Sequence, residues 1–118
     1  MINKRNLGSK KENDAAMYLK NLGIRIIEQN FNTRAGEIDI IGLDGEYICF
    51  VEVKYRKNRN CGLPEEAVNI NKMKKICKTA NYYMYINKIY NNYQMRFDVL
   101  AFQGDDIRYY PNAFMYIE

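Results

Sequence analysis

The apolar residues of the chain follow helical spacing in two segments, which predicts two amphipathic helices. The first is predicted over residues 8–22, with Gly23 as its stop signal. Its apolar positions are Ala15, Ala16, Leu19 and Leu22. The second is predicted over residues 70–86, with its lysines off the apolar stripe, facing solvent or a ligand. That stripe consists of Ile70, Met73, Ile76, Cys77, Ala80, Tyr83 and Met84.

Runs of β-branched and aromatic residues predict five strands. Their ranges are 24–27, 38–43, 47–55, 96–102 and 107–110. Residues 30–36 and 58–64 are predicted to be loops, with Phe31 pointing inward. A long helical crossover between the third and fourth strands makes these two strands parallel neighbours. The predicted order is therefore α-β-β-β-α-β-β, and the fold class is an α/β sandwich with a mixed sheet.

Length and composition predict one domain, residues 1–118, with enough apolar residues for a core, at 47% hydrophobic. No apolar run approaches the roughly 20 residues that span a bilayer, and the N-terminus lacks an apolar signal core. We therefore expect a cytoplasmic protein with no membrane partner. The widely spaced Cys49, Cys61 and Cys77 indicate unpaired thiols rather than a disulfide framework or a zinc site.

The chain contains no histidine. Ser-His-Asp and Cys-His triads, histidine general bases and histidine-ligated zinc sites are therefore excluded. Any catalysis must use carboxylates, lysine, tyrosine or a metal-bound water.

The positive charge is concentrated between Lys54 and Lys78. Eight basic residues in this stretch are opposed by two glutamates, which gives +6, while the rest of the chain carries −2. Five of the basic residues are candidates for contacts with nucleic acid: Lys57, Arg59, Lys72, Lys75 and Lys78. A solvated helix face would give the same pattern.

The dipeptide Asp44-Gly45 predicts a hairpin turn between the second and third strands. A two-residue turn there places Glu37 opposite Glu52 and makes Asp39 a diagonal neighbour of Glu52. Strand alternation then puts six residues on one face, namely Glu37, Asp39, Ile48, Phe50, Glu52 and Lys54. Close carboxylates on an apolar hairpin require a cation or raised pKa values, and Mg²⁺ or Mn²⁺ is the simplest occupant.

Two further interpretations stay open at this point. Glu12 shares the stripe of the first helix and is either another contributor to the metal site or a first-turn acid favoured by the helix dipole. The hairpin charges could also form a surface ladder in which Lys54 only pairs with Glu52.

Three blocks of sequence resemble the YraN-like family of uncharacterised predicted nucleases. They are residues 36–41 (GEIDII), 50–56 (FVEVKYR) and 96–99 (RFDV). Asp39 with Glu52-Val53-Lys54 also resembles the PD-(D/E)xK motif, with Ile38 in place of the proline, as in YraN-like sequences. Gly8, Glu12 and Ala15, and Lys72 with Ala80, match the two helices of the family.

The resemblance implies a restriction-endonuclease-like, three-layer α/β/α sandwich related to archaeal Holliday-junction resolvases. It also implies that Asp39 and Glu52 are metal ligands, that Lys54 is the catalytic lysine, and that Glu12 matches an acid of the resolvases. The expected activity is Mg²⁺- or Mn²⁺-dependent hydrolysis of DNA, including branched DNA. A homodimer would supply the two sites that symmetric cutting requires.

Two other classes of function remain compatible with these residues. One is a nucleic-acid-binding module without turnover, and the other is a structural or assembly protein whose acidic hairpin meets a basic partner.

Overall fold

The computed structural model describes residues 4–56 and 69–118, with side chains described for 10–55 and 69–118. The predicted loop 58–64, Lys57, Arg59 and Cys61 lie outside the described residues. The element order α-β-β-β-α-β-β is confirmed, with a short 3₁₀ helix, Lys88–Tyr90, before the fourth strand. The bounds are α1 Lys4–Asn21, β1 Arg25–Asn32, β2 Glu37–Asp44, β3 Tyr47–Arg56, α2 Ile70–Ile86, β4 Gln94–Gln103 and β5 Asp106–Phe114.

The five strands form one mixed sheet in the order β1-β2-β3-β4-β5. The only parallel pair among the described strands is β3 and β4, which pair from Tyr47–Gln94 to Arg56–Gln103. This confirms the prediction that the strands joined by the helical crossover are parallel neighbours. Because α2 is that crossover, the position of α2 over the sheet follows from the connection itself.

The two long helices cover opposite faces of the sheet. Ala15, Ala16 and Leu19 of α1 pack in one buried cluster with Ile40 and Cys49. A second cluster gathers residues of α2 with alternate residues of the same strands, including Ile76, Ala80, Ile41, Ile48 and Phe50. Adjacent strand residues therefore enter different clusters, as the two-residue repeat of a strand requires. The predicted α/β sandwich is confirmed, with three layers.

The boundaries of several predicted elements differ from the structure. The segment 30–36 is not all loop, because β1 continues to Asn32 and its Phe31 packs against the cluster under α2. Leu22 and Ile70, which were assigned to the apolar stripes, are exposed because they lie at the helix ends, outside the packed part of each helix. Cys49 and Cys77 are buried free thiols, as predicted.

The register of the β2–β3 hairpin also differs from the prediction. The turn residues are Gly45 and Glu46, so Asp44 pairs with Tyr47 and Ile41 pairs with Phe50. Gly45 has a φ of +58°, which glycine adopts at the first position of a hairpin turn without steric cost. The predicted opposition of Glu37 with Glu52 was therefore wrong by two residues.

No helix in the described part of the chain combines the length and the apolar character needed to cross a bilayer.

Candidate metal and nucleic-acid site

A cleft of about 550 Å³ opens where β2 and β3 separate. The ladder between these strands ends at the Ile40–Val51 pair, and the residues beyond it line the cleft. The sheet contributes four charged side chains and α2 contributes lysines from its first two turns. The polar lining consists of Glu37, Asp39, Glu52, Lys54, Asn69, Asn71, Lys72 and Lys75. The structure thus brings the predicted hairpin residues together with two of the predicted basic residues.

Asp39 lies at the point where the ladder ends. Its Oδ2 accepts a hydrogen bond of 2.7 Å from the backbone N–H of Val53, which fixes the carboxylate between the two strands. Ile38 packs under α2 and Ile40 packs under α1, so the strand alternation is interrupted at Asp39. This interruption contradicts the simple one-face arrangement that strand periodicity predicted.

The pKa of Asp39 is raised from 3.8 to about 7. Burial is the largest cause, because a low-dielectric environment disfavours the charged carboxylate. The negative charges of Glu52, Glu37 and Glu12 raise the pKa further, while the hydrogen bond from Val53 lowers it. Burial and the neighbouring acids therefore dominate at Asp39, although Lys72 lies near enough to interact with its charge.

Two further acids, one from α1 and one from β2, converge beside Asp39. Carboxylate oxygens of Glu12, Glu37 and Asp39 all lie within 4.8 Å of one another. Glu12 comes from α1 and is half-buried, whereas Glu37 is exposed at the start of β2. Since α1 begins at Lys4, Glu12 is not in its first turn, and the helix-dipole explanation for this residue is wrong. An all-oxygen donor set of this kind could hold a hard divalent cation such as Mg²⁺ or Mn²⁺.

Glu52 occupies a different electrostatic environment from the three clustered acids. Its side chain is almost fully buried, and its Oε1 lies 2.8 Å from Lys72 Nζ and 3.2 Å from Lys54 Nζ. The predicted pairing of Lys54 with Glu52 is therefore present, but inside a cleft rather than on an open surface. Glu52 also couples to Asp39, because its charge is the second cause of the raised pKa of Asp39.

The two lysines respond differently to the same carboxylate. Burial, reinforced by the neighbouring Lys72, lowers the pKa of Lys54 despite its contact with Glu52. Partial burial acts in the same direction on Lys72, but Glu52 outweighs it and the pKa of Lys72 is raised. The cleft therefore contains one firmly charged ammonium group and one that gives up its proton more readily than an ordinary lysine.

The other basic residues predicted to contact nucleic acid differ in their position relative to the cleft. Lys75 lines the cleft, while Lys78 is exposed on α2 and is not part of the lining. Lys57 and Arg59 lie outside the described residues, so their predicted role in binding has no structural description.

The sequence analysis did not identify two residues at the start of α2 that line the cleft. Asn69 caps the helix, since its side-chain oxygen accepts a hydrogen bond of 2.9 Å from the N–H of Lys72, and Asn71 follows it in the cleft wall. An asparagine directly before an apolar helical stripe is a recognised start signal and could have identified the cap. No sequence pattern predicts that the backbone N–H of Val53 donates a hydrogen bond to Asp39.

Comparison with known proteins places the whole site within one family. The model of the uncharacterised protein family UPF0102 matches residues 11–102, a span that contains every candidate residue from Glu12 to Lys78. A UPF0102 protein of Lachnoclostridium phytofermentans is 43% identical over 113 residues, which are 96% of each chain. A UPF0102 protein of Clostridium kluyveri is 47% identical, covering 81% of this chain and 78% of the relative. One of Vibrio vulnificus is 46% identical, covering 96% and 95%. The chain therefore belongs to the uncharacterised protein family UPF0102, the YraN-like family that its motifs resemble.

Proposed function

We propose that this protein is a metal-dependent endonuclease that hydrolyses phosphodiester bonds in DNA. The observation that carries the proposal is the convergence of the Glu12, Glu37 and Asp39 carboxylates beside the Glu52–Lys54 pair in one cleft. Acids that could hold a divalent cation thus adjoin ammonium groups that could hold a phosphate.

In this proposal the acids hold the cation and the lysines hold the substrate. Asp39, Glu37 and Glu12 would hold Mg²⁺ or Mn²⁺, since carboxylate oxygens of all three lie within 4.8 Å of one another. When bound, such an ion neutralises phosphate charge and lowers the pKa of a coordinated water. In the reaction, a water oxygen forms a bond to phosphorus, the bond to one sugar oxygen breaks, and a proton from the water ends on the leaving oxygen.

Lys54 and Lys72 are the groups that meet the phosphate. Lys54 donates a hydrogen bond to the attacking water or to the phosphate oxygen on which charge develops. Lys72, with its charge secured by Glu52, binds a neighbouring phosphate oxygen together with Lys75. A phosphate that pairs with both lysines would free the carboxylate of Glu52, which would then be able to help Asp39 hold the ion.

The direct test is a cleavage assay on duplex, single-stranded and branched DNA with Mg²⁺ or Mn²⁺. We expect Asp39→Ala and Lys54→Ala each to lower the rate by at least about 100-fold. Glu46→Ala and Lys88→Ala are matched controls, since both residues are exposed and neither lines the cleft. Activity that survives both Asp39→Ala and Lys54→Ala would exclude these roles.

The proposed substrate class includes branched DNA, on which symmetric cutting requires two active sites. We therefore propose a homodimer on the substrate, and sedimentation with and without a four-way junction would measure it. A strictly 1:1 complex that still cuts both strands symmetrically would contradict the dimer.

A second candidate function is a nucleic-acid-binding module without turnover. The observation that favours it is the compensation of Glu52 by Lys54 and Lys72 within the cleft. Calorimetry with Mn²⁺ separates the two, because the nuclease should bind the ion through Asp39 and the module should give no heat. Absence of DNA binding at low salt would instead favour a structural or assembly protein.

A further inference from the structure

A second cavity adjoins the candidate active-site cleft. It has a volume of about 440 Å³ and is lined by Asn32, Thr33, Arg34, Ala35 and Tyr82. Gly36 and Glu37, which continue directly from Ala35, line the cleft. Arg34 and Glu37 are three residues apart, so their Cα atoms lie at most about 11 Å from each other. The two cavities therefore lie close together, one on each side of the Ala35–Gly36 bond along the β1–β2 turn.

Tyr82 provides an aromatic surface in this second cavity. Its ring stacks on that of Phe31, with centroids 6.4 Å apart and an angle of 24° between the planes. Half of the residue remains exposed to solvent. The stacking on Phe31 orients the ring, so a planar ligand would meet a preorganised surface.

Arg34 provides a positive charge at the tip of the β1–β2 turn. The hydroxyl of Thr33 accepts hydrogen bonds from the N–H groups of Ala35 and Gly36, which shapes the turn. Arg34 is exposed, and no acidic partner pairs with it among the side chains described for residues 10–55 and 69–118. Its guanidinium group is thus available to an external anion such as a phosphate.

The β1–β2 turn packs against α2, and this contact positions the turn beside the cleft. A Cβ atom on Gly36 would lie 3.3 Å from Thr79 Oγ1 and 3.5 Å from Lys75 Cβ, so a larger residue at this position would require the Thr79 side chain to shift slightly. Lys75 itself lines the cleft, and Lys78 is exposed one turn further along α2. The route from the cleft to Tyr82 consequently carries positive charge.

We propose that this second cavity binds an unpaired nucleotide of a DNA strand whose neighbouring phosphate lies in the cleft. The base stacks on Tyr82, and Arg34 binds the adjacent backbone phosphate. The inference rests on the proposed function, which places DNA in the cleft, and deepens it by assigning a single-stranded segment next to the cutting site. Stacking accepts any base, so recognition there depends on strand structure rather than on sequence.

Binding in the presence of EDTA tests the subsite without requiring cleavage. Fluorescence anisotropy would measure the affinity of labelled oligo(dT) and of a blunt duplex at low salt. Tyr82→Ala should weaken binding of oligo(dT) about 5- to 100-fold and leave the blunt duplex within about twofold. Tyr82→Trp should retain affinity and, since the chain has no tryptophan, report base stacking by quenching of its fluorescence. Arg34→Gln should reduce the slope of log affinity against log salt by about 1.

Tyr85→Ala is the matched control, because Tyr85 is an exposed tyrosine of the same helix that does not line the cavity. It should change the affinity for oligo(dT) by less than about twofold. Equal effects of Tyr82→Ala and Tyr85→Ala, equal losses on both DNAs, or no binding of oligo(dT) by the wild-type protein would each overturn the subsite. Selective binding through Tyr82 without any metal-dependent cleavage would uphold the subsite and refute the nuclease.

Discussion

The protein contains two groups of charged residues that differ in how completely their charges are matched. One is the candidate metal cluster of Glu12, Glu37 and Asp39. The other, which we call the Asp98 network, consists of Asp44, Arg96, Asp98 and Tyr109 with the N–H of Asn112. Asp98 is fully buried, yet four donors reach its two oxygens: Arg96 Nε and Nη2, Tyr109 OH and Asn112 N–H.

The pKa shifts describe the same difference in energetic terms. Burial lowers the pKa of Arg96, but the Asp98 carboxylate outweighs it and holds the guanidinium charged. Burial and Asp98 together raise the pKa of the Tyr109 hydroxyl, which therefore stays a proton donor. Asp39 has one backbone donor and like charges around it, which raise its pKa to about 7.

The comparison shows that burial of a charge is not by itself a sign of function. In the Asp98 network Arg96 pairs with both carboxylates and both oxygens of Asp98 accept hydrogen bonds, so the network has the properties of a structural element. The metal cluster opens to a cleft and lacks a counter-charge among its own members, so an external cation would complete it. The distinguishing property is that Arg96 belongs to the Asp98 network, whereas no basic side chain belongs to the cluster of Glu12, Glu37 and Asp39.

The largest effect on stability should follow from breaking the Asp98 network. Asp98→Ala leaves the Arg96 guanidinium without its main partner in a partly buried site, and should cost about 3–5 kcal/mol of unfolding free energy in urea titrations. Adding Arg96→Met should recover part of this loss by removing the unpaired charge. A double variant no more stable than Asp98→Ala would show that the uncompensated charge is not the cause.

In metal-free buffer, substitution of Asp39 should change the unfolding free energy less than Asp98→Ala does. The change should be stabilising relative to the wild type as the pH rises. The folded pKa of about 7 exceeds the unfolded value of 3.8, so the contribution of Asp39 to stability is present below pH 4 and is lost as the pH rises to about 7. Asp39→Asn does not titrate, and its stability relative to the wild type should increase over this range by on the order of 3 kcal/mol. Urea titrations at several pH values in EDTA would measure the difference. A difference independent of pH would contradict the raised pKa.

The smallest effect concerns one hydroxyl of the Asp98 network. Tyr109→Phe removes a donor to Asp98 but keeps the ring, which contacts Tyr18 edge-on. We expect a loss of about 2 kcal/mol, the usual contribution of a hydrogen bond to a charged group. Tyr85→Phe, at a highly exposed position, should change stability by less than about 0.5 kcal/mol. Equal losses for the two variants would mean that the hydroxyl of Tyr109 contributes nothing.

Periodicity and connectivity were enough to predict the architecture. The helical stripe of α2 and the crossover between β3 and β4 determined which strands are parallel, and the structure confirms both. The sequence could not show which two residues form the β2–β3 turn, because Asp44-Gly45 and Gly45-Glu46 both place a glycine in the turn. The ion pair of 3.0 Å between Asp44 and Arg96 is a tertiary contact that accompanies the observed register, and local sequence does not reveal it.

The candidate site was predicted as a set of residues but not as an arrangement. Asp39, Glu52 and Lys54, which the sequence motif grouped together, line one cleft with Lys72 and Lys75, which were predicted separately from the charge distribution. The separation of Glu52 from the other acids was not foreseen, because it depends on the interrupted alternation at Asp39 and on lysines from α2. Strand periodicity assumes a regular ladder and so cannot anticipate where one ends.

The parallel pairing of β3 with β4 also determines the order in which the cleft can assemble during folding. Residues 40–51 form a hairpin from neighbours in the chain, a contact that forms quickly because little loop entropy is lost. Tyr47 and Gln94 are nearly half the chain apart, so their pairing, and with it the docking of α2, is intrinsically slow. We therefore expect Asp39 and Glu52, which flank this hairpin, to approach one another before Lys72 arrives to pair with Glu52, and folding rates should rise when the pH is low enough to protonate these two acids.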